Sequence, residues 1–272
     1  MPLTFPAHQG LIAPVKLRWP NAIDGTALFI ASGAPDFAYP IDPLWGHRSH
    51  SLFGIVVWAV PYTLLAAFIA RRWAAAGIFA AAYDLGPLRL RSFRVLGTRR
   101  PPLLATVISA FIGAGGHAVV DAFTHNGRWG ADLAGLNQPL PGAPVEGYSY
   151  AEALQDVGNL AGTLLFAALL LWLASRRVLE RWYGVEQVAA ARDVHVTFTE
   201  RLAFAAIVAV PVLIVIPAAE WRLGSFVFIA VFTLSCSILL AGIWMGRRHP
   251  VRRVDQPPTP DERPSSQAPQ PA

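Results

Sequence analysis

Charge is scarce in this chain. Asp, Glu, Lys and Arg make up 14% of its 272 residues, against roughly one quarter in soluble domains. Of the 22 basic residues only Lys16 is a lysine. Cys236 is the single cysteine, so an internal disulfide is excluded; inside an apolar run it reads as a small hydrophobe rather than a reactive thiol. The opening MPLTFPAHQG lacks the basic n-region and apolar h-region of a signal peptide, so the first strong span is expected to direct insertion itself. There is no internal repeat. No basic-aromatic recognition module stands out either, and nucleic acid is not expected as a partner.

Apolar residues are what the chain has in excess. They form 54% of it, with a mean hydropathy of +0.42. They cluster into long runs, which argues for lipid as the solvent. Five segments, roughly 51–71, 101–121, 155–175, 202–220 and 223–246, are near the ~20 residues that cross a hydrocarbon layer at 1.5 Å per residue. The expected fold is all-α: a polytopic transmembrane helix bundle with about five full spans. Pro61, Pro211 and Pro217 fall inside spans, where neighbours must satisfy the carbonyls they free. The last two spans should form a tight hairpin around Glu220-Trp-Arg222.

Two shorter stretches, about 9–19 and 22–35, cannot span alone. They read as a short N-terminal helical pair. Either the pair dips into the bundle, with His8 and Asp36 at its outer end, or it lies along the interface. Segment 73–88 reads as a short cytoplasmic or interfacial helix, and 180–200 is polar enough to be cytoplasmic. Loop 126–150, rich in Gly and Pro, should be ordered in parts. The division expected is one transmembrane domain over 1–246, then a tail over 247–272 that is first basic and then Pro-rich and disordered.

The arginines set the expected orientation. Loop 71–100 holds Arg71, Arg72, Arg89, Arg91, Arg94, Arg99 and Arg100 against Asp84. Loop 176–201 and the tail are basic as well, whereas loop 122–154 has Arg128 alone against Asp132, Glu146 and Glu152. The positive-inside rule then puts the C-terminus in the cytoplasm of a multi-pass inner (plasma) membrane protein, and membrane lipids are its expected surroundings.

Five of the seven histidines, at 8, 47, 50, 117 and 125, fall near span boundaries. Ionisable groups at such depth need a partner, a wet cavity or an ion. In His117-Ala-Val-Val-Asp121-Ala-Phe-Thr-His125, the residues at 117, 121 and 125 lie on one helical face, the logic by which i,i+4 ligands grip one ion. A His–Asp hydrogen bond that packs two helices accounts for the same spacing. The orientation, however, carries His47-Arg-Ser-His50 to the same outer mouth, with Asp36 and His8 in reach. The candidate metal ligands are therefore His8, Asp36, His50, His117, Asp121 and His125. Imidazole with carboxylate suits zinc first, or manganese or iron, as one or two divalent ions. Gly113, Gly115 and Gly116 would let a neighbouring helix approach.

Four motifs carry a resemblance: MPLTFPAHQG, Ala34-Pro35-Asp36-Phe37, His47-Arg-Ser-His50-Ser-Leu and Gly116-His117-Ala-Val-Val-Asp121-Ala-Phe-Thr-His125. In order and framing, across roughly residues 1–245, they resemble the bacterial membrane family of domain of unknown function 4184. The same skeleton is similar to the YdjM-like inner-membrane metal-dependent hydrolases, whose motifs match His8, Asp36, His47 with His50, and His117 with Asp121 and Thr124. This chain has neither the Gly nor the Thr of that family's His-Arg-Gly-x-Thr-His-Ser block, and it has His125 where the family more often has proline. His47, Arg48 and Thr124 are expected to stand behind the ligands rather than among them.

The resemblance implies a membrane metal-dependent hydrolase. Asp36 or Asp121 would be its catalytic base, and its site would face the headgroups on the non-cytoplasmic side, where a phospholipid or other lipid phosphate or ester is the natural substrate. The alternatives are a non-catalytic, metal-stabilised membrane protein, a transporter or a scaffold.

Overall fold

The computed structural model describes residues 4–40, 48–143, 145–218, 223–251 and 254. The described residues are helical, with two isolated β-bridges and no strand. Five helices are long and apolar enough to cross a membrane. The chain is a multi-pass membrane protein. Its outward faces agree: Leu52, Leu65, Phe68, Leu103, Leu164 and Leu213 are all exposed, an arrangement that lipid tolerates and water does not.

The chain opens with α1 (Thr4–Arg18) and α2 (Gly25–Ala31). They are the expected pair, and they pack inside the bundle rather than beside it. Ala27, Leu28 and Ala31 of α2 are 0–2% exposed. Asp24 starts α2 by accepting from the N–H groups of Thr26 and Ala27 at 3.1 and 3.3 Å, as N-cap residues do. Its other oxygen takes the Thr106 hydroxyl at 2.8 Å and the Arg71 guanidinium at 2.5 Å, tying the pair to the first two spans.

The first span, α3, runs from Leu52 to Ala81. It is longer than the sequence suggested, because segment 73–88 does not begin a separate helix: α3 continues through Ala81. Pro61 does not break it. The helix widens into a π-turn over Ile55–Ala59, with the Val60 N–H bonded to Ile55 O, so the turn before the proline ring is loosened. A second π-turn, Ala70–Ala74, carries Arg71 and Arg72.

A 3-10 stretch (Leu90–Thr98) leads to the second span, α4 (Leu103–Thr124). The short α5 (Trp129–Leu133) lies in the Gly/Pro-rich loop, which closes through a bridge between Pro139 and Ser149. Ser149 and Glu152 then make a reciprocal capping box that starts α6 (Tyr150–Ser175). Two short helices, α7 (Val178–Tyr183) and α8 (Val185–Arg192), occupy the polar segment near 180–200. The last two spans, α9 (Phe198–Ala218) and α10 (Leu223–Arg248), pack together. Their expected hairpin at 220–222, and the tail from 255, lie outside the described residues.

Small residues set the packing. Gly10 of α1 and Gly162 of α6 face each other so closely that a Cβ on either would meet the other helix's backbone. Gly113 of α4 does the same against Leu28 and Ser32. Gly116 faces the Ile12 side chain, and nothing lies near Gly115, so two of the three clustered glycines admit a neighbour. The buried cluster at this end is alanine-rich, with Ala31, Ala34, Ala59, Ala110 and Ala114. Backbones approach where side chains are short, and that brings α1, α2 and α4 within ligand distance of one another.

Candidate metal centre

Each ligand-type side chain is held by a local device. Asp36 stands on a single 3-10 turn (Asp36–Ala38) directly after Pro35. That turn is anchored from α3, where the Trp58 indole donates to Ala34 O at 2.9 Å. His50 sits just before α3, whose N-cap Ser51 accepts from the Gly54 N–H at 3.1 Å. His117 and Asp121 are one turn apart on α4, 1% and 3% exposed.

Four of these groups converge, and their ligand atoms all lie within 4.8 Å of one another. His50 Nε2 is 3.1 Å from His117 Nε2, 3.3 Å from Asp36 Oδ1 and 3.2 Å from Asp121 Oδ2. His117 Nε2 is 3.5 Å from Asp36 Oδ1 and 3.4 Å from Asp121 Oδ2. Ligands held ~2.0–2.1 Å from a tetrahedral ion are roughly 3.3–3.4 Å apart. Five edges of this tetrahedron therefore have the lengths an ion would set.

The hydrogen bonds behind the imidazoles decide what the cluster needs. His117 Nδ1 is 2.8 Å from Ser32 O. A carbonyl only accepts, so Nδ1 carries the proton and a neutral His117 presents a bare lone pair at Nε2. The Ser49 hydroxyl donates to Pro35 O at 2.8 Å. Its oxygen, 3.1 Å from His50 Nδ1, is thus left to accept from that nitrogen. His50 also turns its Nε2 lone pair inward. Two lone pairs and two carboxylate oxygens then face one another in a buried space. Such a group repels itself unless a cation or protons sit between them. The cluster is able to coordinate a divalent metal.

Asp121 faces two ways. While Oδ2 looks toward His50 and His117, Oδ1 is 3.4 Å from His8 Nε2 and 3.8 Å from His125 Nδ1. The His8 ring lies against that of His117, centroids 4.0 Å apart. Burial pushes the His8 imidazole down to about 3, so it is neutral, the form that binds metals. Burial lowers His125 as well. Asp121 Oδ1 and His8 Nδ1 are buried without a hydrogen-bond partner among the described residues. Beside them a crevice of about 10 Å³, the room of one water, is lined by His8, Asp121, Thr124, Gln155 and Asn159, among others.

His47 lies outside the described residues. Arg48 is exposed, and its carbonyl accepts from Ser51. Thr124 bonds back to Val120 O at 3.0 Å and lies 3.3 Å from His125 Nδ1.

Residues 1–245 match the family described as Domain of unknown function (DUF4184). The chain belongs to that family. No curated protein matches it, and no solved structure does. The DUF4184 match covers the chain from its start almost to the end of α10, so all the converging side chains fall inside it.

Sequence reasoning passed over several residues that shape this centre. Ser49 and the Ser32 carbonyl orient the two inner imidazoles. Gln155 of α6 places its amide 3.1 Å from His125 Nε2, and Asn159 lines the crevice one turn along. The sequence does carry a signal for the last two: Glu152, Gln155, Asn159 and Gly162 fall at helical spacing on one face of an otherwise apolar span. A search of that span confined to Asp, Glu and His overlooks them.

Proposed function

We propose that this protein is a metal-dependent hydrolase of the inner membrane, similar in kind to the YdjM-like hydrolases. Its substrate would be a phospholipid or another lipid phosphate or ester, taken at the non-cytoplasmic headgroup level. One observation carries the reading. More ligand-type groups surround Asp121 than a closed four-coordinate site requires, since His8 and His125 flank the carboxylate oxygen that the inner four do not use. A purely structural site is complete with four ligands and has no use for the surplus.

In this proposal His50, His117 and Asp121 would hold the ion, and zinc suits their donors best, ahead of manganese or iron. When bound, the ion supplies a Lewis acid that polarises the scissile group and brings a water to nucleophilic strength near neutral pH. The chain's own residues supply the rest. Ser49 and Ser32 fix the imidazole tautomers. Asp36, with 17% of its side chain exposed, is the most open of the inner four and is the proposed proton acceptor, with Asp121 as the other catalytic carboxylate. His8 and His125 stand ready as further ligands or proton carriers. The apolar spans hold the site at the edge of the lipid, and the basic C-terminal tail follows the single domain of 1–246 on the cytoplasmic side.

A second reading, a closed metal site that only locks the bundle, is favoured by the near-tetrahedral edges of the inner four. Activity separates the two. Protein in micelles is presented with phospholipid, isoprenoid-phosphate and simple ester substrates. The expected result is turnover that chelation abolishes and that is lost in His50→Ala and Asp121→Ala. Turnover that resists a chelator, or that survives in both variants, would overturn the mechanism.

A further inference from the structure

The opposite end of the bundle holds a second polar cavity, unrelated to the histidines. It measures about 280 Å³, and Arg71, Arg72, Trp73, Arg100, Gly246 and Arg247 are among the residues that line it. Four arginines thus border one space, and no acidic residue is among the described residues that line it. Asp24, reaching in from α2, neutralises Arg71 through their 2.5 Å ion pair. Arg72 and Arg247 bring further positive charge to the cavity wall.

The walls come from three places in the sequence. Arg71 and Arg72 ride on the π-turn of α3, Arg100 precedes α4, and Arg247 ends α10. Both arginines of this π-turn border the cavity. Glycines let the walls pack closely against one another. Gly246 lies against the Trp73 carbonyl and Gly97 against Ala76 and Val251, so any larger residue at either would press into the walls. Arg72, Arg100 and Arg247 are exposed.

The depth of the cavity is marked independently. Arg71 lies 19 residues beyond Leu52, about 30 Å along α3 at 1.5 Å per residue, which is the thickness of a hydrocarbon core. Aromatic–cation pairs cluster at the same end: Arg72 over Trp73, Arg248 over Trp244 at 5.0 Å, Arg99 over Tyr183 at 4.6 Å and Lys16 over Trp182 at 5.1 Å. Trp and Tyr with basic residues mark the headgroup level of a bilayer.

We propose that this cavity binds a phosphate-bearing anion, and that the anion is the headgroup of an anionic phospholipid. Guanidinium groups suit phosphate because their planar donors pair with its oxygens two at a time. A cavity at the headgroup level meets lipid phosphate at far higher local concentration than dissolved phosphate, and basic pockets between membrane helices are suited to such headgroups. Occupancy would clip α3, the entry to α4 and the end of α10 together. It would do so without touching the His/Asp cluster at the other end.

The test uses the full chain, delipidated in a neutral detergent. Binding of a fluorescent phosphatidylglycerol is compared with that of the matching phosphatidylcholine. The parent protein should favour phosphatidylglycerol, and the double variant Arg72→Ala/Arg247→Ala should bind it at least about tenfold more weakly. Arg176→Ala/Arg181→Ala removes the same charge from exposed positions outside the cavity and should bind like the parent. Equal binding of the two lipids, or equal loss in both double variants, would overturn the site. Displacement of phosphatidylglycerol by low-millimolar inorganic phosphate would overturn the lipid as its source. Thermal melting of each variant in detergent distinguishes a lost site from a lost fold. If the cavity variant melts well below the parent, Arg72→Lys/Arg247→Lys takes its place. That variant keeps the charge and loses the planar fork, and it should weaken binding severalfold; undiminished binding would overturn the guanidinium argument.

Discussion

At the scale of single residues, the centre is held by hydrogen bonds that lie behind the ligand-type atoms. Ser49 donates to Pro35 O and so must accept from His50; the Ser32 carbonyl does the equivalent for His117. Each bond selects the tautomer that aims a lone pair inward. Changing Ser49→Ala removes one such bond and no ligand. Partners of this kind are worth about 10- to 100-fold in metal affinity. The expected outcome is weaker binding by that amount in a competition titration, with a helical circular-dichroism signal equal to the parent's. Unchanged affinity would mean that the serine does not orient His50. In a sequence, His117 and Asp121 announce themselves by their spacing. A serine next to a histidine does not, because its role depends on Pro35 fourteen residues earlier folding back over it.

Among the elements, the α1–α6 contact leaves no room for a side chain. Gly10 and Gly162 meet where no side chain fits, and this contact holds His8 beside Asp121. Gly158, one turn away on α6, meets nothing within 4 Å. Gly162→Leu should therefore cost about 1–3 kcal/mol of stability from overpacking, while Gly158→Ala should be neutral or slightly stabilising. Thermal melting in detergent reads both; equal melting temperatures for the two variants would contradict the packing. The helical pair itself was legible in the sequence, but its depth was not. Length shows that 9–19 and 22–35 cannot span alone, whereas their burial follows from glycines on other helices. The extent of α3 was hidden for a related reason. Arg71-Arg72 looks like a span's end by hydropathy, yet the backbone widens into a π-turn there and continues to Ala81.

For the whole molecule, periodicity and hydropathy were enough to read five spans, and the side-chain convergence followed from counting them. Asp36 and His50 are fourteen residues apart, and His117 is sixty-seven beyond His50. Two crossings between His50 and His117, out along α3 and back along α4, are what bring them to one end. The arginine asymmetry predicts which side that is: reporter fusions at Ala272 and at Gly142 should lie on opposite faces of the membrane, with the C-terminal one cytoplasmic. Matching sides would contradict the orientation. Sequence could not supply the lengths that make the centre specific, because 3.1–3.5 Å edges arise from backbone packing that no local pattern encodes. The most direct test of the central claim is metal content by plasma mass spectrometry, on protein purified without chelator. The parent and His249→Ala, whose imidazole pairs with Glu200 at 3.1 Å, should carry at least about one zinc or similar transition metal per chain, and His117→Ala and Asp121→Ala should lose most of it. Equal metal in all four proteins would mean that this cluster does not bind it.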